Sequence, residues 1–204
     1  METKENFLIT GYGRSGTKYL ADMFSKSKTW VVYHEPRMSD DEKYKGVKQT
    51  RKIQTAFNKN KYGEVNSYLR FHYKNLSIGK IGIIIRNPID IYLSVCNRKA
   101  PKTHQIYLSD ICNAYKQFFD DYENKAYFFL KFEDYIGKPS KVVELANYLG
   151  IEDIKIADII TSRVNKNKTI KYQTIKDLPK SSLVNIEKLK ELENIYNETK
   201  NYLP

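Results

Sequence analysis

Residues 11 to 18 read GYGRSGTK, eight positions holding two cations, two aliphatic hydroxyls and the three glycines Gly11, Gly13 and Gly16. A glycine-rich turn presents backbone N–H groups to an anion, and a helix that starts directly after it adds the positive end of its dipole. The phosphate loop of nucleotide triphosphatases needs Gly, four residues, Gly, then Lys and Ser or Thr, so that Lys meets the terminal phosphates and the hydroxyl holds Mg²⁺. Gly11 and Gly16 have that separation, but Thr17 precedes Lys18 and a second cation, Arg14, stands inside the loop. The reversed order argues against a Mg²⁺-bound triphosphate. Arg14 offers a planar, permanently charged fork for phosphate or sulfate oxygens. A ligand with fewer charges and no metal fits this loop.

The elements that must position the loop can be read on either side of it. FLITG (7–11) is a short apolar run ending in glycine, and Tyr19, Leu20, Met23 and Phe24 follow at helical spacing, which predicts strand, tight turn and helix. TWVVYH (29–34) is a second β-branched and aromatic run, followed by a polar region expected to be loop with helix around 40–58. KIGIIIR (80–86) is nearly all apolar, as a strand covered on both faces should be. Asn87 then supplies an N-cap, Pro88 the first helical position and Asp90 a first-turn acid, for a helix to about Arg98. Leu108, Ile111, Cys112, Tyr115, Phe118, Phe119 and Tyr122 form a stripe that predicts an amphipathic helix over 105–123. AYFFLKFE (126–133) reads as another buried strand, 139–149 as a helix opened by Pro139 and closed by Gly150, and 182–203 as helical. Strands alternating with helices predict one doubly wound α/β domain over 1–204, its mainly parallel sheet flanked by helices and its ligand at the carboxyl ends of the strands.

Composition narrows the class. Hydrophobic residues at 41% and charged residues at 29% make an ordinary soluble balance, and no apolar run approaches the ~18 residues of a membrane span. METKENFLIT lacks signal-peptide architecture, so a cytoplasmic protein is expected. Two cysteines, Cys96 and Cys112, and three histidines indicate neither a disulfide framework nor a structural zinc site. The 35 Lys and Arg against 24 Asp and Glu, a net charge of +11, suit a polyanionic partner, a membrane surface or an anionic cofactor, and equally a solvated lysine-rich surface. Five lysines fall in 165–180 alone, with no nucleic-acid-binding motif around them.

Residues 9–20 resemble the 5′-phosphosulfate loop of the sulfotransferase family, whose bacterial, carbohydrate and tyrosylprotein members carry a strand, Arg-Ser-Gly-Thr and a helix. The resemblance implies a P-loop-like sulfotransferase fold and the donor 3′-phosphoadenosine 5′-phosphosulfate (PAPS), with Arg14, Ser15, Gly16 and Thr17 gripping its phosphosulfate. Lys18 departs from the family's pattern: it would add a cation on the sulfonate or point to solvent. IRNPIDIYLSVCNR (85–98) resembles the 3′-phosphate motif, in which an Arg ending a central strand and a Ser eight residues later clamp that phosphate; Arg86 and Ser94 have this spacing. FLKFEDYIGKPSKVVELANYLGI (129–151) resembles the strand, aromatic-Glu-Asp turn and helix that follow, which would put Phe132 by the adenine and leave Glu133 and Asp134 structural.

Sulfuryl transfer is an in-line displacement that needs a general base on the acceptor and positive charge on the departing phosphate. The resemblance implies Arg14 for the second role. For the first, YHEPR (33–37) follows the second strand where several members place a catalytic Glu, and the tyrosylprotein type has Glu-x-Arg. Glu35 is therefore the expected base, with Arg37 to orient it. His34 precedes it and, by strand alternation, should point to the opposite side. His72, in LRFHYKN, resembles the Lys-x-His of the cytosolic small-molecule enzymes with Arg70 in place of Lys, or is a partly exposed histidine on a helix. The expected acceptor is a hydroxyl or amine on a carbohydrate, lipid or other small molecule, neutral or anionic, with no nucleic acid and no metal. Two alternatives remain: a kinase or nucleotide triphosphatase, which would need a Walker B Asp where KIGIIIR ends in Arg, and a non-catalytic basic module for nucleic acid or acidic polysaccharide.

Overall fold

A computed structural model describes residues 5–35, 54, 56–122, 126–160 and 171–199. Five strands form one sheet: β1 (Asn6–Gly11), β2 (Val31–His34), β3 (Tyr62–Val65), β4 (Lys80–Ile85) and β5 (Tyr127–Lys131). They lie in the order β2-β3-β1-β4-β5 and every pairing is parallel, with Ile9 beside Val65 and Gly82, and Ile83 beside Phe129. Helices α1 (Thr17–Phe24), α2 (Pro88–Cys96), α3 (His104–Asp120), α4 (Phe132–Gly137), α5 (Pro139–Leu149), α6 (Ile156–Ile160) and α7 (Ile186–Glu198) complete the described elements, with short 3₁₀ turns between them.

The unbroken apolar runs of β1 and β4 exist because both faces of the sheet are covered. Leu8, Ile83 and Ile85 pack with Ile91, Tyr92, Ile111, Tyr115 and Leu189 from α2, α3 and α7. Phe7, Ile9 and Ile84 pack on the other face with Leu20, Phe24 and Leu145 from α1 and α5. Each fully buried aliphatic side chain contributes roughly 1.5–3 kcal/mol, so this sorting of alternate residues fixes the register. Trp30, 5% exposed, belongs to the α1 side; its ring lies 5.2 Å from that of Phe7 and its Nε1 donates to Gly150 O at 3.0 Å.

The layering decides where a ligand goes. β1 and β4 are neighbours, but α1 leaves β1 on one face and α2 leaves β4 on the other, so a crevice opens beyond their carboxyl ends. The loops 11–16 and 86–87 both border it.

Local signals place most of these ends. Asn87 Oδ1 caps α2, accepting from Ile89 N at 2.9 Å and Asp90 N at 3.3 Å, with Pro88 in its first turn. Pro139 opens α5, and Gly150 closes it at φ 86°. The helix expected over 105–123 runs His104–Asp120, and the one expected over 182–203 runs Ile186–Glu198, preceded by a 3₁₀ turn at Lys180–Ser182. Of the helix expected at 40–58, Gln54 and Ala56 are helical and 57–58 are turn; the rest lies outside the described residues. β3 is an element that the sequence did not announce. It is four residues long and includes Glu64, 1% exposed, whose carboxylate accepts from Tyr62 Oη at 2.5 Å and Asn66 Nδ2 at 3.2 Å.

The C-terminal part straps this frame together. Asn97, just past α2, accepts from the N–H groups of Lys171 and Tyr172 at 2.7 and 2.8 Å and donates to Tyr172 O at 2.8 Å. The buried ring of His104 spans Ser182 Oγ at 2.7 Å and Lys99 O at 3.0 Å. α7 braces the exits of β4 and β5: Tyr196 Oη donates to Glu133, Lys131 Nζ to Tyr196 O at 2.7 Å, and Asn87 Nδ2 to Glu193 Oε1 at 2.7 Å.

Candidate active site

The loop after β1 is shaped by contacts that only its own residue types permit. Ser15 Oγ and N both donate to Tyr12 O, at 2.6 and 3.1 Å, and close the turn. Gly16 has φ 85°, and a Cβ there would meet Tyr135 Oη at 2.0 Å and the Phe132 ring at 2.7 Å. Tyr135 Oη donates to Ser15 O at 2.8 Å, which locks α4 against the loop. A Cβ on Gly13 would find only Ser67 Oγ, at 3.8 Å, so this stretch of backbone faces open space. Thr17 is buried as the first residue of α1. Lys18 turns away from the loop to pair with Asp22, Nζ to Oδ1 2.9 Å, on the solvent side of α1.

Arg14 sits in the left-handed region at φ 84° and donates through Nε to Ser94 Oγ at 3.2 Å. Arg86 Nη1 donates to Arg14 O at 3.1 Å, while its guanidinium stacks 4.5 Å from the Phe132 ring centroid. The loop and the Arg86–Ser94 pair, 72 to 80 residues apart in sequence, thus form a single cluster. Burial lowers the pKa of Arg14, and the charges of Arg98 and Arg86 lower it further. Such repulsion among guanidinium groups is relieved by an anion. Asp90 and Glu133 approach Arg86 only to 3.6 and 3.9 Å, and its buried Nε has no hydrogen-bond partner among the described residues. This donor set fits an anionic ligand. Glu133 also accepts from Tyr196 and, at 3.4 Å, from Asn87 N, so it works as a strut.

Beside this cluster lies a cavity of about 440 Å³, bordered by Gly13 and Arg14 of the loop, Ser67 after β3, and Asp110 of α3. Glu35 is not on its wall but bonds to a residue that is: Ser67 Oγ donates to Glu35 Oε1 at 2.5 Å. The expectation that His34 and Glu35 point to opposite sides is corrected here. β2 ends at His34 and Glu35 turns into the left-handed region at φ 47°, which breaks strand alternation and leaves His34 Nε2 3.8 Å from Glu35 Oε1. His72 sits between two 3₁₀ turns, half-buried and not on the cavity wall. Arg37 lies outside the described residues. Phe132 is brought to Arg86 and Gly16, whereas the sequence had associated it only with an adenine.

Several site residues went unread in the sequence. Ser67 follows β3, a strand without a sequence signal, and Arg70 stands out in sequence only as a substitute for Lys in the Lys-x-His resemblance. Tyr12 Oη and Arg70 Nη2 both donate to Asp110 Oδ2, at 2.8 and 2.6 Å, joining loop, 3₁₀ turn and α3. Burial and the adjacent Asp110 charge push the Tyr12 phenol up. The one local signal was Tyr12 itself, an aromatic between two glycines.

No family model and no curated protein matches the chain. Solved structures do. A sulfotransferase from Alicyclobacillus acidocaldarius aligns with a TM-score of 0.52 at 16% identity, over 94% of this chain and 96% of that one. Mouse sulfotransferase SULT7A1, solved in complex with PAP, gives 0.55 at 17% identity, over 97% and 90%. The sulfotransferase domain of the Synechococcus PCC 7002 olefin synthase gives 0.56 at 12%, over 100% and 98%. At such identities the likeness is one of fold.

Proposed function

We propose, from a chain that folds as a sulfotransferase, that it transfers a sulfuryl group from PAPS to a hydroxyl or amine of a small-molecule or carbohydrate acceptor. The observation that carries this reading is the joining of Arg14, Ser94 and Arg86 through two hydrogen bonds across the crevice. On this reading the loop and the Arg86–Ser94 pair would be two parts of one anion site made of protein cations and amides. Arg86 and Ser94 would hold the 3′-phosphate, the N–H groups of residues 13–17 the phosphosulfate, and Phe132 the adenine edge. β4 runs into Arg86 where a Mg²⁺-dependent kinase would have an Asp, which favours this reading over the phosphate-loop kinase.

In the transfer, the acceptor oxygen or nitrogen forms a bond to sulfur as the bond from sulfur to the bridging phosphate oxygen breaks. The acceptor's proton passes to Glu35, which Ser67 orients, and Arg14 neutralises the charge released on the departing phosphate. Among the described residues no helix is long and apolar enough to cross a membrane.

Thermal and chemical unfolding with added nucleotide tests the reading. Adenosine 3′,5′-bisphosphate at 100 times its Kd should stabilise the protein by about 2.7 kcal/mol without Mg²⁺, and ATP with Mg²⁺ should not. Arg86→Ala should weaken the bisphosphate by roughly 1.5–3 kcal/mol while changing adenosine 5′-phosphate far less. Equal weakening of both ligands would show that Arg86 does not read the 3′-phosphate.

A further inference from the structure

The cavity beside the site carries a charge imbalance that sulfuryl transfer leaves unused. Four cations border it, Arg14, Arg70, Arg98 and Lys99, against the single carboxylate of Asp110. Two of the four are already committed. Arg70 is bound to Asp110 at 2.6 Å, and Tyr12 shares the same carboxylate oxygen. Arg14 belongs to the loop cluster through Ser94. Arg98 and Lys99 remain, and neither forms an ion pair among the described residues.

Their position is fixed even though their side chains are exposed. The N–H groups of both donate to Val95 O, at 2.9 and 3.0 Å, and Lys99 O is held by the buried His104 ring. Lys99 Nζ lies 5.6 Å from the Tyr107 ring centroid, and Tyr68 and Ile106 continue the lining with apolar surface. The cavity thus combines two cations whose backbone is anchored with ring faces and with Ser67, the residue that holds Glu35. A volume of about 440 Å³ lies in the range of small-molecule pockets.

We propose that the acceptor is a compact anionic alcohol or amine, whose carboxylate, phosphate or sulfate is held by Arg98 and Lys99 while its nucleophile faces Ser67 and Glu35. The assignment rests on the sulfuryl-transfer reading. Asp110 does not oppose an anionic guest, because Arg70 and Tyr12 have already satisfied it.

The test starts with the protein saturated with adenosine 3′,5′-bisphosphate, which occupies the donor site. Millimolar inorganic phosphate should then give a second thermal stabilisation, lost in Arg98→Gln/Lys99→Gln and reduced in Lys99→Gln. With labelled PAPS, the charged member of each pair of glucose and glucose 6-phosphate, glucose and glucuronate, or phenol and 4-hydroxybenzoate should be sulfated about 10- to 100-fold better, a preference that the double variant abolishes. Urea unfolding separates a folding defect: Arg98 and Lys99 also complement the end of the α2 dipole, and variants that lose only stability while keeping the phosphate response overturn the proposal. So does a protein that the bisphosphate stabilises but phosphate does not, with the sulfuryl-transfer reading left standing. A protein that the bisphosphate fails to stabilise sinks both.

Discussion

The Glu35 carboxylate stands on a backbone conformation that a side-chain-bearing residue adopts at a cost of roughly 1–2 kcal/mol, and Ser67 Oγ ties it down at 2.5 Å. On the proposed reading, in which Glu35 is the base, its proton chemistry should matter more than its shape. Glu35→Gln is expected to lower turnover by about 10²–10⁴-fold and leave bisphosphate affinity unchanged. Ser67→Ala should cost less, roughly tenfold, with Ser67→Thr recovering most of the rate, because the hydroxyl orients the carboxylate without accepting the proton. His72→Ala serves as the control: a small loss of labelled-PAPS turnover is expected, and a large one would transfer the role of base to His72. At this scale the sequence was informative wherever spacing alone brings residues together. Arg14 lies in a short turn, and Arg86 and Ser94 are two helical turns apart. It was silent on Ser67 and Asp110, whose partners Glu35 and Tyr12 lie 32 and 98 positions away.

Elements give a different kind of test, because two glycines of one loop should fail in opposite ways. Gly16→Ala puts a methyl 2.0 Å from Tyr135 Oη at a positive φ, so the Tyr135–Ser15 bond must break. Left-handed strain and the lost bond together predict about 2–3 kcal/mol of destabilisation in urea unfolding. Gly13→Ala meets only open space, so it should fold with near-normal stability, yet on the proposed reading it should weaken the bisphosphate at least tenfold in calorimetry, since its methyl would occupy the approach of the proposed anion. The elements themselves were legible where a covered sheet demands uninterrupted apolar residues, as in β1, β4 and β5. β3 hid because a short central strand can carry a buried Glu64 if Tyr62 and Asn66 satisfy it, and no periodicity announces that arrangement. His34 and Glu35 were misread for a related reason: alternation holds only to the last paired residue, and β2 ends between them.

The molecule as a whole depends on its last third to hold its middle. Asn97 makes three bonds to residues 171–172 and a fourth to Leu93 O, and His104 adds two across the same turn. Asn97→Ala leaves two backbone N–H groups without their acceptor and should lower stability by about 1–3 kcal/mol, read as a fall in the urea midpoint. The lysines of 165–180 read in sequence as a charged stretch, but at 171–172 the chain is held by its backbone, which explains why composition gave no hint of its role. Trp30 adds a practical consequence. It is the chain's one tryptophan, and it packs on Phe7. The proposed anion site starts at Gly11, four residues up β1, roughly 13 Å away at the usual strand rise. Its emission should therefore be blue-shifted in the native state and move to the red only when the sheet comes apart, which makes it an optical reporter of folding that bound nucleotide does not quench by contact. A fluorescence change on adding bisphosphate to the native protein would then signal displacement at the amino-terminal edge of the sheet, far from the phosphates themselves.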